Sequence, residues 1–162
     1  MIKIGILTCS DKCAIGERKD TSGPAIKEAV KDLGNVTKYE IIPDDKTRIS
    51  YLLMDWCDIS ELDLIITTGG TGFGPRDWTP EATREVVERL CPGIPELIRW
   101  ETFKNEKHAA LSRATAGIRK NTLIINLPGS EKAVKQSMEV LLPILPHALE
   151  VLKGKTEHKE SK

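Results

Sequence analysis

The amino-acid sequence predicts an α/β fold, a three-layer and mainly parallel doubly wound sheet with helices on both faces. Short apolar runs alternate with amphipathic segments, brief polar turns join them, and the run at residues 62–67 has a continuous apolar centre. Such a centre is typical of a strand that is covered on both sides. We expect residues 1–153 to form a single domain and residues 154–162 a mobile charged tail.

The first half of the chain has the pattern of a β-α-β-α-β unit. Residues 11–20 are polar and are expected to form a loop. We expect Ser22 or Thr21 to cap the first helix, Gly34 to end it, and Thr47 to cap the second helix. This order favours parallel strands with short connections. The expected strands are residues 2–8, 39–42 and 62–67.

The second half is expected to add helices and one hairpin to this unit. Thr79 is expected to cap a helix that has Pro80 in its first turn. Ser130 is expected to cap a later helix, which Pro143 and Pro146 separate from the last one. Helices are expected near residues 81–90 and 94–103, and the hairpin over residues 113–119 and 122–127.

Charge and hydropathy argue against several classes of protein. Lys and Arg total 24, as do Asp and Glu, so the formal net charge of zero disfavours a general binder of nucleic acid or acidic membranes. No apolar stretch reaches the ~18 residues that span a bilayer, and the N-terminus alternates like a strand rather than a signal peptide. We therefore expect a cytoplasmic protein.

The cysteines favour a reducing compartment. The chain has Cys9, Cys13, Cys57 and Cys91, and none of them forms a C-x-x-C pair. We expect four reduced thiols, with a metal site that uses Cys9 and Cys13 as the alternative. The three histidines have no spacing typical of metal ligands.

Four polar segments follow predicted strands, and the carboxyl ends of such strands are where doubly wound folds bind ligands. Gly69, Gly70 and Gly72 leave backbone N–H groups bare, which suits phosphate oxygens, and Thr68 and Thr71 add hydroxyl donors. The pattern is neither a Walker loop nor G-x-G-x-x-G. A tight strand-to-helix turn without a ligand is the alternative. The four segments are residues 8–11, 43–45, 67–77 and 126–130.

Two aspartates in these segments form a candidate metal site. Asp44 and Asp77 each lie just past a predicted strand. Mg²⁺ favours one or two carboxylates together with phosphate oxygens and water, and it would neutralise charge during phosphoryl or nucleotidyl transfer. The alternative for each aspartate is a turn or a helix cap. Asp11 is expected to cap a helix or to hydrogen-bond a ligand.

Together these motifs resemble the signature of the molybdopterin-binding family. The resemblance rests first on LIITTGGTG at residues 64–72, followed by RDWTPEAT at residues 76–83. It runs from Ile4 to about Lys153, and six motifs in order are more specific than any single one. The other motifs are Ser10-Asp11, Asp20-Thr21-Ser22-Gly23-Pro24, Ile42-Pro43-Asp44-Asp45, Leu111-Ser112-Arg113 and Ile125-Asn126-Leu127-Pro128-Gly129.

The resemblance implies a function and roles for single residues. Chains of this size in the family transfer AMP from Mg-ATP to molybdopterin, whereas much larger members insert molybdate. Asp44 and Asp77 would be catalytic and hold Mg²⁺, with ATP as co-substrate. Ser112 would hold the phosphate end of the pterin, and Arg113 would be its charged partner. The implied substrate-binding residues are Ser10, Asp11, Thr68, Gly69, Gly70, Thr71, Gly72, Ser112, Arg113, Asn126, Pro128 and Gly129.

The resemblance also implies an assembly and leaves alternatives open. Similar proteins act as trimers, and a molybdate-inserting enzyme would be the downstream partner. The segment Asp20-Thr21-Ser22-Gly23 also resembles a sister group of trimers or hexamers, in which activity is not always retained. A non-catalytic pterin-binding or carrier protein is the main alternative, and a flavin or nicotinamide binder is a weaker one. The family's Pro-Gly-Asn-Pro turn is replaced by Pro128-Gly129-Ser130-Glu131, where Glu131 brings a negative charge near the expected anion site.

Overall fold

One six-stranded sheet organises the computed structural model, which describes residues 1–155. Its strands are β1 (Lys3–Cys9), β2 (Asn35–Ile42), β3 (Leu64–Thr68), β4 (Arg89–Leu90), β5 (Ala116–Arg119) and β6 (Thr122–Leu127). Their order across the sheet is β2-β1-β3-β6-β5-β4. The first four strands of that order are parallel, whereas β5 is antiparallel to β6 and β4 is antiparallel to β5. The predicted mainly parallel, doubly wound sheet is confirmed.

Helices cover both faces of the sheet. They are α1 (Asp11–Ala14), α2 (Ser22–Ala29), α3 (Lys46–Asp58), α4 (Thr79–Val86), α5 (Gly93–Phe103), α6 (Glu131–Leu141) and α7 (Leu145–Leu152), with a 3₁₀ helix at Lys107–Leu111. Helices α2, α5, α6 and α7 contribute to one apolar core, and α3 and α4 contribute to a second. Successive residues of β3 alternate between the two, so Leu64 and Ile66 enter the first core and Ile65 the second.

The two cores determine where a ligand can bind. After β1 the chain turns toward α2 on the first face, and after β3 it turns toward α4 on the second. Strand order also reverses here, because β2 and β3 lie on opposite sides of β1. A crevice therefore opens between the carboxyl ends of β1 and β3, which is the usual ligand position in an open doubly wound sheet.

Several expected boundaries were wrong because hydrogen bonds outside the local pattern decide them. Residues 11–20 were expected to be a loop, but α1 forms there because Ser10 Oγ accepts from Cys13 N at 3.2 Å. Strand β2 begins at Asn35 rather than residue 39, since its pairing with β1 starts at Lys3. Asp45, not Thr47, caps α3 by accepting from Arg48 N at 2.8 Å.

Further differences concern α2 and the second half of the chain. The carboxylate of Asp20, rather than Thr21 or Ser22, accepts from the first amides of α2. Helix α4 ends at Val86, because the following residues pair with β5 as the edge strand β4. Pro146 lies in the first turn of α7 instead of interrupting it. The expected cap of α6 is confirmed, as Ser130 Oγ accepts from Ala133 N at 3.2 Å.

No helix in the part of the chain that the structure describes is both long and apolar enough to cross a membrane. All four cysteines are free. Of the charged tail expected over residues 154–162, only residues 154 and 155 fall within the described part, and the rest lies outside it.

Asn126 forms a polar network inside the sheet, and its side chain is fully buried. Its Nδ2 donates to Thr67 Oγ1 at 3.0 Å and to Thr83 Oγ1 at 2.9 Å, while its Oδ1 accepts from Thr115 N at 3.2 Å. Substrate binding was predicted for Asn126, but every polar atom of its amide is already bonded to protein. Its role in the structure is to join β6, β3, α4 and the start of β5.

We predict that Asn126→Ala lowers the free energy of unfolding by about 3 kcal/mol, because three buried polar partners lose their hydrogen bonds. Chemical denaturation measures this directly. Asn105→Ala, at an exposed asparagine, is the control and is expected to change stability by less than about 0.5 kcal/mol. A loss for Asn126→Ala no larger than that of the control would contradict the network's importance.

Candidate functional site

The loops after β1, β2, β3 and β6 are joined to one another at the crevice. Ser10 N donates to Ile42 O at 2.9 Å, and Gly69 N donates to Leu127 O at 3.2 Å. Thr68 Oγ1 donates to Pro128 O at 2.6 Å. The four polar segments singled out in the sequence therefore meet at one edge, as expected. The hydroxyl of Thr68 binds the neighbouring loop, so it is not a free donor for a ligand.

Two glycines of the loop after β3 have positive φ and no room for a side chain. Gly69 has φ +93°, and a β-carbon there would overlap the carbonyl oxygen of Cys9. Gly70 has φ +65°, and a β-carbon there would overlap Thr79 Oγ1. Left-handed conformation and close approach both require glycine. We predicted from the sequence that the backbone N–H groups of these glycines bind phosphate oxygens, and the observed backbone conformation is compatible with that role.

Two cavities flank this loop. The larger, of about 630 Å³, includes the loop, Asp77, Ser112 and one wall formed by α5, the 3₁₀ helix and α6. The smaller, of about 260 Å³, lies at the start of α1 and α2 and is lined by Arg18, Lys19 and Asp20 among others. Gly129 and Ser130 line both, so the loop after β6 separates them.

The predicted site residues divide between these cavities. The larger one receives Gly70, Thr71, Gly72, Asp77, Ser112, Pro128 and Gly129. The smaller one receives Ser10, Thr68, Gly69 and, again, Gly129. The four predicted residues that line neither of the two are Asp11, Asp44, Arg113 and Asn126. The structure thus gathers most of the set around residues 69–72, the glycine loop that follows β3.

Asp44 is held by a reciprocal pair of hydrogen bonds with Asp11. Asp11 N donates to Asp44 Oδ2 at 3.0 Å, and Asp44 N donates to Asp11 Oδ1 at 3.0 Å. Arg76 forks onto the Asp11 carboxylate through Nε at 3.0 Å and Nη2 at 2.9 Å. These bonds from Arg76 lower the pKa of the Asp11 carboxyl. Asp11 therefore links the loop after β1 to Asp44 and to Arg76.

The Asp44 carboxyl group lies in a place that disfavours its charge. Burial raises its pKa, and the carboxylates of Asp11 and Asp77 add to the rise. Its Oδ1 is buried without a hydrogen-bond partner and lies 3.0 Å from where a Gly70 β-carbon would be. Asp44 thus faces Gly70, and the Asp77 carboxylate lies against Gly72 and Gly74, so both aspartates lie at the loop that follows β3.

These residues fit a magnesium ion held together with substrate phosphates. In residues 1–155 no three or more His, Cys, Asp or Glu side chains form a metal cluster. Mg²⁺ needs only one or two carboxylates when phosphate oxygens and water complete its shell. The unpartnered Oδ1 of Asp44 and the carboxylate of Asp77 in the larger cavity supply oxygen ligands of the right kind.

Arg113 is placed differently from the prediction that it contacts the pterin phosphate. Its Nε donates to Gly72 O at 2.7 Å, its Nη2 donates to Asp77 O at 2.7 Å, and its Nη1 pairs with Glu81. The guanidinium is directed to protein oxygens behind the loop and lines neither cavity. A sequence pattern does not reveal which way a polar side chain points, so this orientation of Arg113 could not be predicted.

Other side chains at the cavities were given no role by the sequence reasoning. Arg99 lines the larger cavity from α5, where its Nη1 donates to Ser112 O at 3.2 Å and Ala114 O at 3.0 Å. His108 lines the same cavity. Asp20 was quoted within a motif but assigned no role, although it accepts from Thr8 Oγ1 at 2.6 Å at the smaller cavity. Of Arg99, His108 and Asp20, only Asp20 belongs to a sequence motif that could have drawn attention to it.

The unusual acid after Gly129 has a local explanation. Glu131 lies in the first turn of α6, and Lys135 Nζ donates to its Oε1 at 2.6 Å. An acid there stabilises the positive end of the helix, and Lys135 offsets its charge. Glu131 lines the smaller cavity together with Gly69, but it does not line the larger one, which contains Gly70, Gly72 and Ser112.

We predict that Asp44→Asn raises the stability of the protein without divalent ions at neutral pH. Because the pKa of Asp44 is raised in the folded state, its charged form lowers the free energy of unfolding when the pH is above that pKa. This loss disappears once the pH falls below the ordinary pKa of aspartate, since Asp44 is then protonated in both the folded and the unfolded state. The stability that Asp44→Asn gains over wild type should therefore shrink as the pH falls toward 4. The side-chain amide oxygen of the variant can still accept the hydrogen bond from Asp11 N. Thermal unfolding between pH 4 and 8 tests this, with exposed Asp32→Asn as control. A variant less stable than wild type at pH 7.5 would contradict the assignment.

Comparisons with known proteins agree with this architecture. The family model described as "Probable molybdopterin binding domain" matches residues 5–147. The chain is 42% identical to a molybdopterin adenylyltransferase of Helicobacter pylori, and the match covers 94% of this chain and 89% of that protein. It is 47% identical to the Drosophila melanogaster molybdenum cofactor synthesis protein cinnamon over 93% of this chain, but it spans only 26% of that protein.

A solved structure is also similar to this chain. It is the crystal structure of the molybdopterin biosynthesis enzyme MoaB from Thermus thermophilus, whose sequence is 50% identical to this one. The two structures superpose with a TM-score of 0.91 over 96% of this chain and 98% of that chain. The chain therefore belongs to the molybdopterin-binding domain family.

Proposed function

We propose that this chain is a molybdopterin adenylyltransferase, an enzyme that transfers AMP from Mg-ATP to molybdopterin in molybdenum cofactor biosynthesis. The observation that carries the proposal is the meeting of Asp77, Ser112 and the glycine loop in one cavity of about 630 Å³, with Asp44 directed at the back of that loop. Similarity to adenylyltransferases over nearly the whole chain supports it.

The reaction needs positioning more than proton transfer. The terminal phosphate of molybdopterin attacks the α-phosphorus of ATP, a new P–O–P bond forms, and the bond to pyrophosphate breaks. A phosphate is already ionised at neutral pH, so no strong general base is required. Backbone N–H groups at Gly70 and Gly72 and the hydroxyl of Ser112 would orient the reacting phosphates in the larger cavity.

Asp44 and Asp77 would hold the magnesium ion of Mg-ATP. When bound, the ion neutralises the negative charge that gathers between the two phosphates and the leaving group. Each aspartate is kept in place by backbone donors, Asp44 by Asp11 N and Asp77 by Gly74 N at 2.8 Å. Burial raises the pKa of Asp44 and the carboxylates of Asp11 and Asp77 add to the rise, so a bound cation would stabilise the charged form of Asp44.

We further propose that the chain forms a trimer, acts in the cytoplasm and passes its product to a molybdate-inserting enzyme. The four free cysteines agree with a reducing compartment. Trp100, Phe103 and Leu111 are large apolar side chains left exposed; Trp100 and Phe103 line a shallow cavity beside α5, and Leu111 lines the larger cavity. A second copy of the chain is the occupant we propose for them.

We predict that purified protein releases pyrophosphate from Mg-ATP only when molybdopterin is present. Asp77→Asn should lower that rate by at least about 100-fold, because several kcal/mol of charge stabilisation depend on the metal ligands. Asp32→Asn, an exposed acid after α2, is the matched control and should retain full activity.

Two outcomes of this assay would contradict the proposal. Unimpaired turnover by folded Asp77→Asn would reject the metal assignment. Tight molybdopterin binding without any ATP-dependent product would instead establish the alternative, a non-catalytic pterin-binding or carrier protein.

We predict that the protein sediments as a trimer at micromolar concentration, and that Trp100→Ala weakens this association because Trp100 is 69% exposed in the single chain. Tyr51→Ala, at an exposed aromatic on α3, is the matched control and should leave the sedimentation profile unchanged. A wild-type protein that sediments as a monomer would contradict the proposed assembly.

A further inference from the structure

We propose that Arg113 and Glu81 are a positioning pair that sets the shape of the glycine loop and the place of Asp77, without touching substrate. The inference rests on the proposed adenylyl transfer and deepens it. It assigns to Arg113 a task that differs from the direct phosphate contact expected from the sequence.

The guanidinium of Arg113 joins the two ends of one short loop. Its Nε donates to Gly72 O and its Nη2 to Asp77 O, each at 2.7 Å. The backbone of Arg113 adds a third link, since its N donates to Thr71 O at 2.8 Å. Residues 71, 72 and 77 are thereby held against a single side chain and its own backbone.

The loop that Arg113 closes is the one that places the Asp77 carboxylate. Asp77 Oδ2 accepts from Gly74 N at 2.8 Å, and Asp77 N donates to Gly74 O at 3.0 Å. A β-carbon at Gly72 or Gly74 would lie only 2.9 Å from Asp77 Oδ2, so the carboxylate fits closely against both glycines. A small change in this loop would therefore move the proposed metal ligand.

Glu81 anchors the arginine from the start of α4. It accepts from Arg113 Nη1 and is partly buried, as is Arg113. The same end of α4 also binds the loop through Thr79 N, which donates to Gly70 O at 3.1 Å. Helix α4 packs in the second core, so the pair transmits the rigidity of that core to the loop.

The neighbouring residue shows why Arg113 acts indirectly. Ser112 lines the larger cavity, whereas Arg113 lies behind the loop and lines neither cavity. Lysine cannot replace arginine here, because one ammonium on a flexible stem cannot bridge Gly72 O, Asp77 O and Glu81 in a fixed geometry. Arg113→Lys keeps the charge and removes only the fork.

The experiment compares Arg113→Lys and Glu81→Gln with Arg119→Lys in the full chain. Arg119 is the matched control because it also forks onto an acid, Asp58, and donates to a backbone carbonyl, that of Val86, far from the loop. The measurements are kcat, the KM for molybdopterin, the Mg²⁺ concentration for half-maximal pyrophosphate release, and hydrogen exchange of the amides of residues 70–78.

We expect Arg113→Lys to raise the half-activating Mg²⁺ concentration by about tenfold or more and to lower kcat, with little change in the KM for molybdopterin. Glu81→Gln should act in the same direction more weakly, because the amide still accepts a hydrogen bond. Exchange across residues 70–78 should quicken in both variants. Arg119→Lys should leave the Mg²⁺ dependence and this exchange as in wild type, even if it melts earlier.

Two results would overturn the inference. One is an Arg113→Lys variant with wild-type Mg²⁺ dependence and wild-type exchange. The other is a raised KM for molybdopterin with unchanged Mg²⁺ dependence, which would mean that Arg113 binds the substrate directly. Hydrogen exchange can be measured whether or not the protein is active. An inactive wild type would therefore contradict only the proposed adenylyl transfer, and the exchange data would still decide whether Arg113 and Glu81 position the loop.

Discussion

The close approach of Gly69 to the carbonyl of Cys9 is the constraint on which the rest of the site depends. Strands β1, β3 and β6 run parallel in the middle of the sheet, so their carboxyl ends crowd one edge. Gly69 lies between Cys9 O and Gly129, and its φ of +93° suits no side chain. Because Gly69 and Gly129 have no side chains, their backbones can approach each other and Cys9 O at the point where the three loops meet.

Negative charge accumulates at the same edge of the sheet, and it is neutralised at Asp11 but not at Asp44. Arg76 neutralises Asp11 from solvent, whereas Asp44 remains half-buried with one oxygen unpartnered and a raised pKa. Such an arrangement costs stability in the empty protein and is relieved when a cation and phosphates arrive. Strain of this kind is common at sites where binding, rather than folding, satisfies the polar groups.

The architecture was largely predictable from the sequence, since apolar runs indicate buried strands and glycines indicate the turns between elements. The gathering of Asp77, the glycine loop and Ser112 was also predictable, because parallel strands bring their ends together. Side-chain direction was not. Asn126, Thr68 and Arg113 are polar residues in the expected segments, yet each binds protein inward. Arg99 and His108 come from the second half of the chain, where helical periodicity says nothing about a cavity.

Anomalous diffraction from crystals grown with Mn²⁺ and a non-hydrolysable ATP analogue tests the central claim most directly. The account predicts one strong Mn²⁺ peak within coordination distance of both Asp44 and Asp77, with the nucleotide phosphates against the amides of the glycine loop. A peak that contacts neither aspartate, or phosphates bound away from that loop, would contradict it.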